Sequence, residues 1–195
     1  MTRTPTEKVL WSLALLALGG VVGVFVLTAH SPHRKNKNNP QEQVSLGKPA
    51  PNATFTTLNG KTFSLSAYKG KKIMLWFVAT WCSSCQEGAR VLAAHENALH
   101  SLTIIPVETY GDGGYPGPAI QAFAKESAPQ TLTNPLWVWG EASQKATALY
   151  NPKNYADIYF LIDKKGIVRA ISGSPSVTLD TILSFARPAP LSSGK

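Results

Sequence analysis

Both cysteines of the chain lie in one pentapeptide, Trp81-Cys82-Ser83-Ser84-Cys85. Two residues separate the thiols, so on a helix both sulfurs fall on one face of one turn, close enough to bond. Upstream runs Ile73-Met74-Leu75-Trp76-Phe77-Val78-Ala79, an unbroken apolar stretch that reads as a strand buried on both faces. Downstream, Gln86 to His95 reads as helix. The pair therefore sits at a strand-to-helix junction. Free amides and the positive end of the helix dipole there favour a thiolate at Cys82, the species that attacks disulfides.

Two plainer explanations fit less well. A tetrahedral zinc site needs four ligands. The histidines are His30, His33, His95 and His100, with no second Cys-x-x-Cys and no zinc-finger spacing. A structural disulfide closing so short a loop would gain little, because the entropic benefit grows with loop length. We therefore expect redox chemistry, with no metal and no cofactor.

The elements that must position the dithiol follow in order. Ala53 to Leu65, broken by Asn59-Gly60, reads as a hairpin. After the dithiol helix, Leu102–Val107 is expected as a second core strand. Glu108–Pro118 is a glycine-rich loop and Ala119–Ser127 a short helix. Leu136–Trp139 is expected as a short strand, Glu141–Tyr150 as a helix, Ile158–Asp163 and Ile167–Ser172 as strands and Val177–Ala186 as a closing helix. This alternation gives an α/β fold, a mixed central sheet with helices on both faces.

The 195 residues carry a formal charge of +8. Five of the 19 basic and two of the 11 acidic residues precede Val44, so the body is basic too. Its charges are scattered, with no aromatic-interleaved basic patch, and nucleic acid is not an expected partner. Val9–Ala29 is uncharged throughout, long enough for a bilayer-spanning helix of about 20 residues and longer than the apolar core of a signal peptide. The expected organisation is a cytoplasmic tail (1–8), a transmembrane anchor (9–29), a polar basic linker (30–43), a catalytic domain (44–187) and a tail (188–195). The positive charges flanking the span are nearly balanced. The dithiol leads us to expect the body outside the membrane.

From Val44 to Ala186 the chain resembles thioredoxin-fold proteins of the membrane-anchored TlpA/ResA class, related to the AhpC/TSA redoxins. The resemblance rests on GKPAPNATFTTLNGKTFSLSAYKGK, on IMLWFVATWCSSC and on FLIDKKGIV. It implies extracytoplasmic thiol–disulfide exchange, often in cytochrome c maturation, on a disulfide-bearing protein substrate, with re-reduction by a membrane thiol donor. It also implies that Cys82 attacks, that Cys85 is shielded and resolves, that the two form the redox disulfide, and that Trp81 shapes the adjoining surface. Ser83 and Ser84 read as helix-start polarity.

One position departs from the pattern. The class carries a cis-proline three residues before the aromatic matched by Phe160, and here that residue is Asp157. A non-proline cis bond costs roughly 3–4 kcal/mol, so Ala156–Asp157 is expected to be trans, with the carboxylate near Cys82. Two alternatives share the fold: a Sco-type copper-handling protein and a peroxiredoxin-like peroxidase. The first wants three residues between its cysteines and a distant histidine. The second wants Pro-x-x-x-Thr/Ser-x-x-Cys, which Ala79-Thr80-Trp81 does not supply.

Overall fold

The computed structural model describes residues 43–188. Its core is a seven-stranded sheet of β1 (Thr54–Thr57), β2 (Thr62–Ser64), β3 (Lys72–Val78), β4 (Leu102–Glu108), β5 (Gly140–Ala142), β6 (Asp157–Ile162) and β7 (Val168–Ser172). The spatial order is β2-β1-β5-β4-β3-β6-β7. β3 pairs parallel with β4, and β4 with β5, while the other neighbours are antiparallel. The helices are α1 (Ser83–Ala94), α2 (Glu96–Leu99), α3 (Ile120–Ser127), α4 (Gln144–Tyr150) and α5 (Leu179–Ala186).

β3 explains the two-sided packing. Successive side chains of a strand point to opposite faces. Met74, Trp76 and Val78 enter one core with Ala89 and Leu92 of α1, Phe123 of α3 and Ile182 of α5. Ile73, Leu75 and Phe77 enter the other with Phe55 of β1 and Ala146 and Tyr150 of α4. Burial on both faces is why this strand reads as a continuous apolar run. It also sends the chain out at Ala79 into the dithiol turn.

Two elements differ from expectation. Leu136–Trp139 is not a strand; it makes only an isolated bridge, Ile104 to Trp137. Ile104 N–H donates to the Leu136 carbonyl and Val138 N–H to that of Ile104. The next residue of β4 facing that side is Pro106, which has no N–H to give. The ladder lapses there and resumes where Val107 and Glu108 meet Gly140 and Glu141. The helix expected from Glu141 begins instead at Gln144, because Gly140–Ala142 is held between β1 and β4 as β5. Ser143 caps α4, its hydroxyl accepting from Ala146 N–H at 3.1 Å. Gly140 is required for this wedge: a Cβ there would overlap the Thr56 carbonyl.

Among the described residues no helix is long and apolar enough to cross a membrane. The expected anchor, Val9–Ala29, and His30 and His33 lie outside those residues.

Candidate functional site

Cys82 is the N-cap of α1, with extended φ/ψ of −83° and 116°. Its sulfur accepts the Cys85 backbone N–H at 3.3 Å, so one of the helix's otherwise unpaired first-turn donors points at the thiol. Cys85, a turn later, is fully buried, and its S–H donates to the Ala156 carbonyl at 2.9 Å. Both cysteines are free thiols. Cys82 was expected to be the exposed thiol; it is 7 % accessible against 0 % for Cys85. It is the more open of the two only by comparison.

The two thiols are driven apart electrostatically. A hydrogen bond from Cys85 lowers the Cys82 pKa to about 6, helped by Ser84 and the Cys85 backbone and opposed by burial and by the charge of Asp157. The same contact, with burial and Asp157, pushes Cys85 far above the ordinary thiol range. One thiol thus favours the thiolate and the other the protonated form.

Asp157 is not a solvated loop residue. It opens β6 beside Val78 of β3, half-buried. Its Oδ1 accepts the indole N–H of Trp76 at 2.8 Å, and its Oδ2 accepts the Ser84 hydroxyl at 2.8 Å. Ser84 Oγ lies 3.1 Å from Cys82 Sγ. Ser84 is therefore more than helix-start polarity, whereas Ser83 is exposed. Ala156 also accepts Ala79 N–H at 2.8 Å, which pins its loop against the end of β3. No peptide bond among the described residues is cis.

Cys82 Sγ, Cys85 Sγ and an Asp157 oxygen lie within 4.8 Å of one another, but both carboxylate oxygens already hold hydrogen bonds. His95 and His100 bond carbonyls of their own segment, Val91 and Asn97.

Trp81 is 41 % exposed. Its indole N–H donates to the Asp112 carbonyl at 2.7 Å, and its ring meets Tyr115 edge-on with centroids 5.2 Å apart. Asp112 was not anticipated. It is buried, with left-handed φ of 51° between Gly111 and Gly113, and accepts Thr80 N–H at 2.6 Å and Thr80 O–H at 2.8 Å. A Cβ at Gly117 would overlap both Thr80 Oγ1 and Asp112 Oδ2. The only sequence signal was an acid inside a glycine cluster. Glu108, at the end of β4, also went unremarked; burial, with Asp112 and Glu141 nearby, raises its pKa to about 7.

A strand-to-helix dithiol on a mixed sheet defines a thioredoxin-like redox protein, and the comparisons agree. The chain belongs to the AhpC/TSA family, which it matches over residues 46–171. It is similar to the thioredoxin-like protein YneN of Bacillus subtilis, 27 % identical over 165 residues, 85 % of this chain and 89 % of that protein. Thiol-disulfide oxidoreductase ResA of Bacillus cereus is 35 % identical over 75 residues, 38 % of this chain and 39 % of that protein. Among solved structures, the thioredoxin domain of a thiol-disulfide oxidoreductase from Bacteroides vulgatus superposes with a TM-score of 0.54 at 20 % identity, covering 74 % of this chain and 100 % of that one. A secreted disulfide oxidoreductase of Mycobacterium tuberculosis gives 0.52 at 23 % identity, covering 67 % and 93 %. These two likenesses show the fold.

Proposed function

We propose that this protein is an extracytoplasmic thiol–disulfide oxidoreductase that reduces disulfides in protein substrates. The asymmetry of the dithiol carries the reading: a hydrogen-bonded, low-pKa thiol at the helix start and a buried, high-pKa partner one turn on. Cys82 thiolate attacks one sulfur of a substrate disulfide and expels the other as a thiolate. Cys85, once deprotonated, attacks Cys82 and releases the second substrate thiol, leaving a Cys82–Cys85 disulfide. Two electrons have then passed to the substrate, and a membrane thiol donor returns them.

The relatives support the class of reaction, since ResA is named a thiol-disulfide oxidoreductase. The uncharged stretch Val9–Ala29 supports a single-pass anchor with the dithiol domain outside. Trp81, with Tyr115 packed on it, forms the apolar rim that a substrate polypeptide meets. Apocytochrome c, with its own cysteine pair, is the first substrate to test.

Cys85→Ser leaves the attack intact and removes the resolving step. Expressed in cells, it accumulates mixed disulfides through Cys82, visible as reducible high-mass adducts. Absence of adducts with a folded, membrane-fractionating variant contradicts the reading. Recovery of a protein beginning near His30 in the soluble fraction contradicts the anchor.

A further inference from the structure

Ser84 has one hydroxyl proton and two neighbours that want it. Its oxygen lies 2.8 Å from Asp157 Oδ2 and 3.1 Å from Cys82 Sγ. A thiolate and an ionised carboxylate both only accept hydrogen bonds, so Ser84 cannot satisfy the two together. Trp76 does not relieve the conflict, because its indole N–H is committed to Oδ1.

Two arrangements with one proton shared between Cys82 and Asp157 do satisfy every group. In one, the Cys82 thiol donates to Ser84 and Ser84 donates to the Asp157 carboxylate. In the other, the Asp157 carboxylic acid donates to Ser84 and Ser84 donates to the Cys82 thiolate. Both carry the same charge. They differ by moving two protons one hydrogen bond along.

We propose that Ser84 relays a proton between Cys82 and Asp157, so that Asp157 takes the proton of the attacking thiol and returns it to the departing substrate sulfur. The inference rests on the thiol–disulfide exchange reading. On activation the Cys82 S–H bond breaks and Ser84 Oγ gains that proton. Ser84 passes its own proton to Asp157 Oδ2, and the sulfur keeps the electron pair. That pair forms the new S–S bond as the substrate S–S bond breaks. The expelled thiolate takes the proton from Asp157, restoring the carboxylate and leaving a neutral thiol. Protons and electrons balance with no other reactant.

Trp76 is a positioning residue, holding the carboxylate by the oxygen that the relay does not use. Among the described residues, the titratable groups facing the relay are Cys82 at the N-cap of α1, Cys85 in its first turn and Asp157 from β6; β3 contributes only the neutral Trp76 indole. Asp112 is engaged with Thr80, on the segment before the dithiol. The Ser84 hydroxyl helps lower the Cys82 pKa, and the charge of Asp157 opposes it, so both partners of the relay act on the attacking thiol.

The test uses the full-length protein and two disulfides. An alkyl disulfide expels a basic thiolate that needs a proton, and an aromatic one expels a thiolate stable without it. Asp157→Asn removes the proton acceptor and the charge at nearly unchanged shape. It should slow reduction of the alkyl disulfide by about tenfold or more while leaving the aromatic one near wild type and lowering the pH midpoint of Cys82 alkylation. Ser84→Ala should slow the alkyl disulfide similarly, and adding Asp157→Asn to it should cost little more. Ser84→Thr, which keeps a hydroxyl, should restore the rate. Equal slowing with both disulfides, independent multiplication of the two losses, or no restoration by threonine overturns the relay. Wild-type protein that reduces neither disulfide overturns the exchange reading instead, a separate outcome.

Discussion

Two aspartates hold the segment from Thr80 to Ser84, and they do different work. Asp112 grips Thr80 through a backbone N–H and a side-chain hydroxyl, and that hydroxyl has no second titratable partner among its hydrogen bonds. Asp157 grips Trp76 and Ser84, and Ser84 touches the Cys82 sulfur. A carboxylate whose donors have no second acceptor is a clamp. A carboxylate whose donor also faces a thiol takes part in that thiol's protonation. The two also differ in backbone: Asp112 occupies a left-handed turn between glycines, while Asp157 begins a regular strand.

The largest effect that tests this contrast is at the thiol itself. Cys82→Ser should abolish disulfide exchange while leaving the fold intact, as circular dichroism and an activity assay on one preparation would report. Retained turnover would move the nucleophile to Cys85 and remove the reason for Asp157's placement.

Next is the clamp. Asp112→Ala strands the buried Thr80 donors and should cost about 2–3 kcal/mol of stability in denaturant unfolding, with the reduced-state Cys82 alkylation midpoint little changed. Gly117→Ala should also destabilise, because its Cβ meets the same two oxygens. Asp157→Asn should do the reverse, costing within about 1 kcal/mol while moving the chemistry. If Asp112→Ala shifts the thiol midpoint as much as Asp157→Asn does, the distinction between clamp and relay fails.

The smallest effect concerns Glu108. Its pKa is raised from 4.5 to about 7, chiefly by burial. The folded state therefore binds its proton more tightly than the unfolded state. That contribution is fully present below about pH 4.5 and is lost as pH rises through 7. Glu108→Gln should flatten the decline in stability across this window, measured by unfolding at a series of pH values. An unchanged slope would remove Glu108 as a contributor to the pH dependence of stability.

The dithiol and its helix were legible because everything that defines them is local: an apolar run, two cysteines and the start of a helical pattern. The mixed α/β class followed from strands alternating with helices; the strand order did not, because β5 lies where a helix was expected. What was not legible depends on partners far along the chain. Nothing in Leu136–Trp139 itself shows that it fails as a strand; the cause is Pro106 in the strand beside it. Nothing in Ser83-Ser84 distinguishes the two serines until β6 brings Asp157 within 2.8 Å of Ser84 alone. Trp76 read as core and is core, fully buried, but its one polar atom faces Asp157. Asp157 was singled out by its departure from the resembled pattern, a signal that gave its neighbourhood but not its partners.

The central claim is that Cys82 is the thiolate that attacks. Its most direct test is the alkylation rate of each cysteine in the reduced full-length protein as a function of pH, resolved by mass spectrometry. The account predicts that Cys82 reacts first with a midpoint near pH 6 and that Cys85 stays unmodified across that range. A Cys82 midpoint at the ordinary thiol value of about 8.5, or earlier modification of Cys85, would contradict it.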